Sequence, residues 1–236
     1  MIQVHESAER LTTRLDWLES RHAFSFGAHF DPDRMGFRAL RVLNEDRVKG
    51  GTGFAAHAHR DTEILTLVLD GALEHRDSEG GRSLLRRGDV QRMSAGTGVV
   101  HSEWNASLTD PVHFVQVWLL PDRIGAPPRY DEAHVLWHEA RGVALLASRD
   151  GRDAALPIDC DADVYAGALA AGATLRHDIE AGRSVWLQVL RGRVTTGPPP
   201  DDSVLEAGDA VSLEDETALE ISAIEAAEIL LFDLTG

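Results

Sequence analysis

The chain of 236 residues has one cysteine, Cys160, and one lysine, Lys49. A single cysteine excludes an intramolecular disulfide and fits a reducing, cytoplasmic compartment. Cations are scarce: 23 Lys and Arg against 39 Asp and Glu give a net charge of −16. Nucleic-acid binding rests on clustered cations that neutralise phosphates, so this balance argues against direct nucleic-acid contact and against an anionic membrane surface. No apolar run approaches the roughly 18–20 residues of a membrane span. The opening segment, MIQVHESAERL, lacks the apolar stretch of a secretory signal.

Hydrophobic residues make up 43% of the chain and fall in short runs, which excludes disorder as the main class. Gly36–Leu43, Glu63–Leu69 and Val112–Leu120 read as strands, punctuated by Gly50-Gly51, Asp70-Gly71, Gly80-Gly81 and Gly88-Asp89. That punctuation predicts an all-β sandwich or barrel. One helix is expected near the start, where Ser7 is placed to cap a run containing Leu11, Leu15 and Leu18.

The pattern occurs twice. Leu67-Val-Leu-Asp-Gly71 matches Gln188-Val-Leu-Arg-Gly192, and Leu85-Arg-Arg-Gly-Asp89 matches Leu205-Glu-Ala-Gly-Asp209. The two matches lie 121 and 120 residues apart, so they agree on one duplication. Between the copies, Pro121–Tyr130 holds three prolines and a glycine and cannot be a central strand. The expected organisation is one domain over 1–120, a linker over 121–134 and a second domain over 135–236.

Three of the eleven histidines form a pattern with a glutamate. In His57-Ala58-His59, two imidazoles on a strand share one face, close enough to converge on an ion with bonds near 2 Å. His101-Ser102-Glu103 repeats the spacing after the turn Gly96-Thr97-Gly98. Three imidazoles and a carboxylate from two facing strands suit Fe, Ni, Cu, Zn or Mn, and the ligand types alone do not choose. The other histidines, including His75, His113, His134 and His138, carry no such pattern and are expected to be structural.

These residues resemble the cupin motifs: Gly51, His57-x-His59 and Gly71 for the first, Gly88, Gly98, His101 and Asn105 for the second. The acidic residue falls one position early, at Glu63, Gly96 stands where proline is usual, and Glu103 is outside the general cupin pattern. Together these departures point to the pirin branch. Phe24-Ser-Phe-Gly27, Phe30–Gly36, Leu73-Glu-His-Arg-Asp-Ser78, Gly88–Gly98 and Val185-Trp-Leu-Gln-Val189 are similar to pirin segments. Ala58 replaces the proline usual between the first two histidines.

The resemblance implies two cupin β-barrels in tandem, a bicupin with few short helices and metal in the N-terminal barrel alone. It maps the ligands onto His57, His59, His101 and Glu103. One divalent ion is implied, iron first, with zinc, nickel, copper, manganese or cobalt admissible. By the repeat spacing, the second copy sets Asp178, Glu180, Ile221 and Ala223 at these positions, so no second site is expected. Bacterial members resemble quercetin 2,3-dioxygenases. That implies a flavonol-like aromatic substrate and O2, carbon monoxide release, and Glu103 as general base toward the flavonol hydroxyl. Phe54, Met93 and Trp104 are candidates for an apolar lining. The alternative is a non-catalytic metal- or redox-sensing regulator acting through a protein partner.

Overall fold

Strand-forming runs set the architecture, and the computed structural model describes residues 1–139, 142–197 and 203–235. Among them the only helical elements are two three-residue 3-10 turns, Ser7–Glu9 and Arg152–Ala154. Among the described residues, no helix is long and apolar enough to cross a membrane. The helix expected after Ser7 does not form. Leu11–Arg14 and Leu18–His22 are instead antiparallel strands. The β-branched pair Thr12-Thr13 prefers extended backbone, and Leu15 is left 55% exposed in the turn, so the three leucines share no helical face.

The chain divides into two units, one of Arg10–Val135 with Leu156–Cys160, the other of Met1–Glu9, Leu136–Ala155 and Asp161–Gly236. Strand β1 (Ile2–His5) therefore belongs to the second unit. The first unit holds β2 (Leu11–Arg14), β3 (Leu18–His22), β4 (Leu40–Val48), β5 (Gly53–His59), β6 (Glu63–Asp70) and β7 (Ala72–Asp77). It continues with β8 (Arg82–Arg86), β9 (Asp89–Ser94), β10 (Val99–Asn105), β11 (Val112–Leu119), β12 (Arg129–His134) and the short β14 (Leu156–Pro157). The second unit takes β13 (Gly142–Ser148), β15 (Ala162–Leu169), β16 (Thr174–Asp178), β17 (Arg183–Arg191) and β18 (Arg193–Thr196). Its last strands are β19 (Ser203–Glu206), β20 (Ala210–Leu213), β21 (Ala218–Ala223) and β22 (Ala227–Thr235).

The first unit pairs a sheet of order β12-β9-β6-β11-β4-β3-β2 with a smaller sheet β5-β10-β7-β8. The second repeats the plan as β1-β20-β17-β22-β15-β13 and β16-β21-β18-β19. Both are cupin barrels, and the duplication is visible in the backbone. Gly71 and Gly192 have φ of 80° and 75°, and Gly88 and Gly208 have 94° and 93°. These left-handed turn positions favour glycine, which is why they anchor the repeat in the sequence. Central strands such as β6 are buried along nearly their whole length.

Candidate metal centre

Three neighbouring strands, β5, β10 and β7, turn a polar set of side chains inward. In the β5–β10 pair His57 lies opposite His101, His59 opposite Val99 and Glu103 opposite Phe54. The register shifts between His101 and Glu103, where three steps on β5 face two on β10. That bulge re-aims alternation, so Phe54 and His57 both face inward although an even strand would separate them. Gly53 permits the close approach, because a Cβ there would sit 2.3 Å from the Glu103 carbonyl oxygen.

The ligand atoms of His57, His59 and His101 lie within 4.8 Å of one another. Ring centroids are 4.5 Å apart for His57–His101 and 4.8 Å for the other two pairs. His59 and His101 are 8% and 1% exposed. Burial, with the neighbouring histidines, pushes His59 down to about 4 and His101 down to about 2, so both are neutral near pH 7. The Nε2 atoms of His59 and His101 are buried and bond to no protein atom. Buried polar atoms are rarely left unpaired, since each costs about 1–3 kcal/mol. The Nδ1 of His57 is taken by the Ala55 carbonyl at 2.8 Å, which leaves its Nε2 as a lone-pair donor too. Three clustered imidazoles, each with an Nε2 free of protein hydrogen bonds, fit a divalent metal ion.

Glu103 falls in a second cluster, with His75 and His101. Its carboxyl is 2% exposed and receives the Gln116 amide nitrogen at 3.1 and 2.9 Å. Burial pushes it up to about 7, the Gln116 bond opposes the rise, and the charge of Asp46 adds to it. A cation beside it would favour the ionised form.

His75 is the functional-face residue that sequence reasoning passed over. It is fully buried, lies opposite Glu103 on β7, and sets its Nδ1 3.4 Å from that of His101. The available signal was His75-x-Asp77, an i, i+2 polar pair inside a strand. His113 and His134 lie outside both clusters and are bonded to Glu45 at 2.8 Å and Asp89 at 2.7 Å.

Beside the imidazoles opens a cavity of about 590 Å3, lined in part by Trp17, Phe26, Phe54 and Trp118 and by Glu103. Trp118 meets His59 edge-on at 4.7 Å. A polar wall runs through Ser20, His22, Asn44 and Asp46, with His22 Nδ1 2.8 Å from Asn44 Oδ1. Of the expected lining only Phe54 is present. Met93 is packed with Ile64, Ala95 and Val99, and Trp104 is 41% exposed, because alternation along β10 turns it away from His101 and Glu103.

In the second barrel, β16 and β21 set Leu175 opposite Ile221 and His177 opposite Leu219. Leu175 and His177 thus occupy the places of His57 and His59, rather than Asp178 and Glu180. The loop that follows is longer, 179–182 against 60–62, and displaces the repeat spacing on its N-terminal side. His177 is bonded to Asp233 at 2.7 Å, and Ile221 is fully buried, so no imidazole triad forms there.

The pirin family model matches residues 4–119, and that of the quercetinase C-terminal cupin domain matches 145–234. A quercetin 2,3-dioxygenase of Escherichia coli K12 is 41% identical over 234 residues, 99% of each chain. The crystal structure of the bacterial pirin YhhW of Escherichia coli in complex with nickel(II) superposes with a TM-score of 0.94 at 40% identity, covering 100% of this chain and 99% of that one. GK1651 of Geobacillus kaustophilus superposes with a TM-score of 0.80 at 27% identity, covering 98% and 94%. The chain belongs to the pirin family.

Proposed function

We propose that this protein is a metal-dependent dioxygenase that cleaves flavonols such as quercetin, with His57, His59, His101 and Glu103 as the metal set. The observation that carries the reading is the imidazole cluster, with two buried and unpartnered Nε2 atoms, opening onto an aromatic-walled cavity that Glu103 also lines. The relative named quercetin 2,3-dioxygenase supports the substrate class, and the nickel complex of a relative supports a metal. We take iron as the native ion, with zinc, nickel, copper, manganese and cobalt as alternatives, and the cytoplasm as the compartment.

A divalent ion held by this set would supply positive charge that favours ionisation of a flavonol 3-hydroxyl. Glu103 takes the hydroxyl proton as general base. Gln116 holds that carboxyl in place. Trp17, Phe26, Phe54 and Trp118 enclose the flat rings and exclude water. Ser20, Asn44 and Asp46 on the polar wall offer partners to ring hydroxyls. A cavity of about 590 Å3 is within the range of small-molecule sites and has no role in a protein that only senses its metal. The N-terminal unit carries the chemistry, and the C-terminal unit is structural.

The test is loss of quercetin absorbance with carbon monoxide detection, on protein loaded in turn with each of these metals. Turnover with stoichiometric carbon monoxide is expected. Absence of turnover with every metal would remove the enzymatic reading and leave the metal- or redox-sensing one.

A further inference from the structure

We propose that His75 and Asp77 are positioning residues that fix the tautomer of His101, and so make His101 a metal ligand. The inference rests on the ligand set proposed above, and adds two residues outside that set.

The geometry assigns each proton in turn. Strand β7 lies beside β10 with Asp77 opposite His101 and His75 opposite Glu103. Asp77 closes a tight turn on itself: its Oδ1 accepts the backbone N–H groups of Glu79 and Gly81, each at 2.9 Å. Gly81 is required for this, because a Cβ there would lie 2.3 Å from Oδ2 of Asp77. With Oδ1 engaged, Oδ2 faces Nε2 of His75 at 3.0 Å, and the two side chains are 2% and 0% exposed.

A carboxylate so placed is an acceptor, so His75 carries its proton on Nε2. Nδ1 of His75 is then bare and can only accept. It faces Nδ1 of His101 at 3.4 Å, so His101 carries its proton on Nδ1. What remains on His101 is a bare Nε2, and that is the buried atom with no protein partner. Asp77, His75 and His101 thus form one relay of hydrogen bonds whose free end is a lone pair aimed at the imidazole cluster.

The ring of His75 is itself held. Tyr130 stacks on it at 4.8 Å and 28°, and the Tyr130 hydroxyl donates to Glu132 at 2.7 Å. For His57 the same tautomeric role falls to a backbone carbonyl, that of Ala55. Partners of this kind orient a ligating imidazole and raise its basicity. For His101, the relay ends on a full negative charge instead of a carbonyl dipole.

The experiment uses the full chain, stripped of metal, with zinc titrated in competition with a chromophoric chelator. Three variants are compared, with melting curves as a check on folding. In Asp77→Asn the side-chain oxygen keeps the two backbone N–H groups, so its NH2 faces His75 and reverses both tautomers. His75→Phe keeps the stack on Tyr130 and removes the acceptor. His75→Gln places a carbonyl where it can accept from His101. Asp77→Asn and His75→Phe should weaken zinc binding about 10–100-fold, and His75→Gln should restore most of the loss. Independently of metal, nitrogen-15 NMR should find His101 protonated on Nδ1 in the wild type and on Nε2 in Asp77→Asn. Wild-type affinity in both folded Asp77→Asn and His75→Phe would overturn the relay while leaving the proposed ligands standing. So would a wild-type His101 protonated on Nε2. A wild type that holds no zinc would remove the ligand set and the relay with it.

Discussion

Gln116 aims its amide nitrogen at both oxygens of the Glu103 carboxyl, at 3.1 and 2.9 Å, because its carbonyl is occupied by the Trp118 indole N–H at 3.1 Å. The amide cannot flip without leaving the buried Glu103 carboxyl and the Trp118 indole N–H without this partner, so Glu103 meets a donor. A neutral donor favours the charged carboxylate but competes less for its lone pairs than an arginine would. In the proposed function, this leaves Glu103 free to meet a cation on one side and a substrate proton on the other.

Replacement of Glu103 by glutamine keeps the volume and a neutral oxygen but removes the proposed base. The variant should hold metal on three imidazoles, somewhat weakened, and lose turnover on the order of 10²–10⁴-fold at saturating metal. The loss should shrink as pH rises and the flavonol ionises unaided. Steady-state rates across pH, with metal content measured in the same samples, check this. Wild-type rates in the metal-saturated variant at every pH would exclude the base role.

Elemental analysis of purified protein should find close to one metal equivalent per chain. The first barrel offers His57, His59 and His101 within 4.8 Å, whereas the second offers Leu175 and Ile221 at the facing positions. A His57→Ala, His101→Ala double variant should therefore fall to none. Retention of a full equivalent would place the ion elsewhere.

The strand runs and the twofold plan are local properties, and both were legible in the sequence. Alternation survives without knowledge of the fold, and the left-handed glycines at 71, 88, 192 and 208 mark equivalent turns. The i, i+2 pairs His57-x-His59 and His101-x-Glu103 were legible for the same reason. His75 was not, because its partner in sequence is an aspartate and its partner in space, His101, is on another strand. Register was equally hidden. The bulge in β5 that turns Phe54 inward and the longer loop after His177 depend on pairing across strands, which spacing along one strand does not encode. The leucines at 11, 15 and 18 misled because helical spacing arose by chance across a hairpin turn.

Acid should weaken the first barrel through Glu45. This side chain is 8% exposed and bonds Arg10 at 2.9 Å and His113 at 2.8 Å. Burial alone would push it up, but His113 and Arg10 outweigh that and hold it at about 2, below the ordinary 4.5. A depressed carboxyl stabilises the fold above its unfolded value, and that contribution is lost as pH falls from about 4.5 to about 2. Glu45→Gln should cost about 3–5 kcal/mol near pH 7, the range for breaking a buried pair, and should flatten the acid limb. Asp46, pushed up to about 7 chiefly by burial, acts with the opposite sign. Asp46→Asn should remove a fall in stability as pH rises from about 4 to about 7. Urea denaturation at stepped pH separates the two.

The last prediction concerns the first nine residues, which belong to the second unit. Strand β1 adds to β20 with Ile2 opposite Leu213 and His5 opposite Ala210. His5 stacks on Trp186 at 4.5 Å and approaches the Ser212 hydroxyl at 2.9 Å. The Ser7 backbone N–H donates to Asp209 at 2.7 Å. Ile2 and Val4 are 53% and 38% exposed, so the strand contributes backbone hydrogen bonds and the cover over Trp186 more than apolar burial. Deleting residues 1–9 should cost the second barrel a few kcal/mol, at roughly 1 kcal/mol per backbone bond, and should bare the β20 edge to association. Amide exchange should quicken at Ala210–Leu213, and light scattering should show oligomers. The imidazole cluster lies wholly on strands of the first unit, so metal content should stay at one equivalent. Loss of metal together with unchanged exchange at β20 would mean that the N-terminal segment serves the site rather than the second barrel.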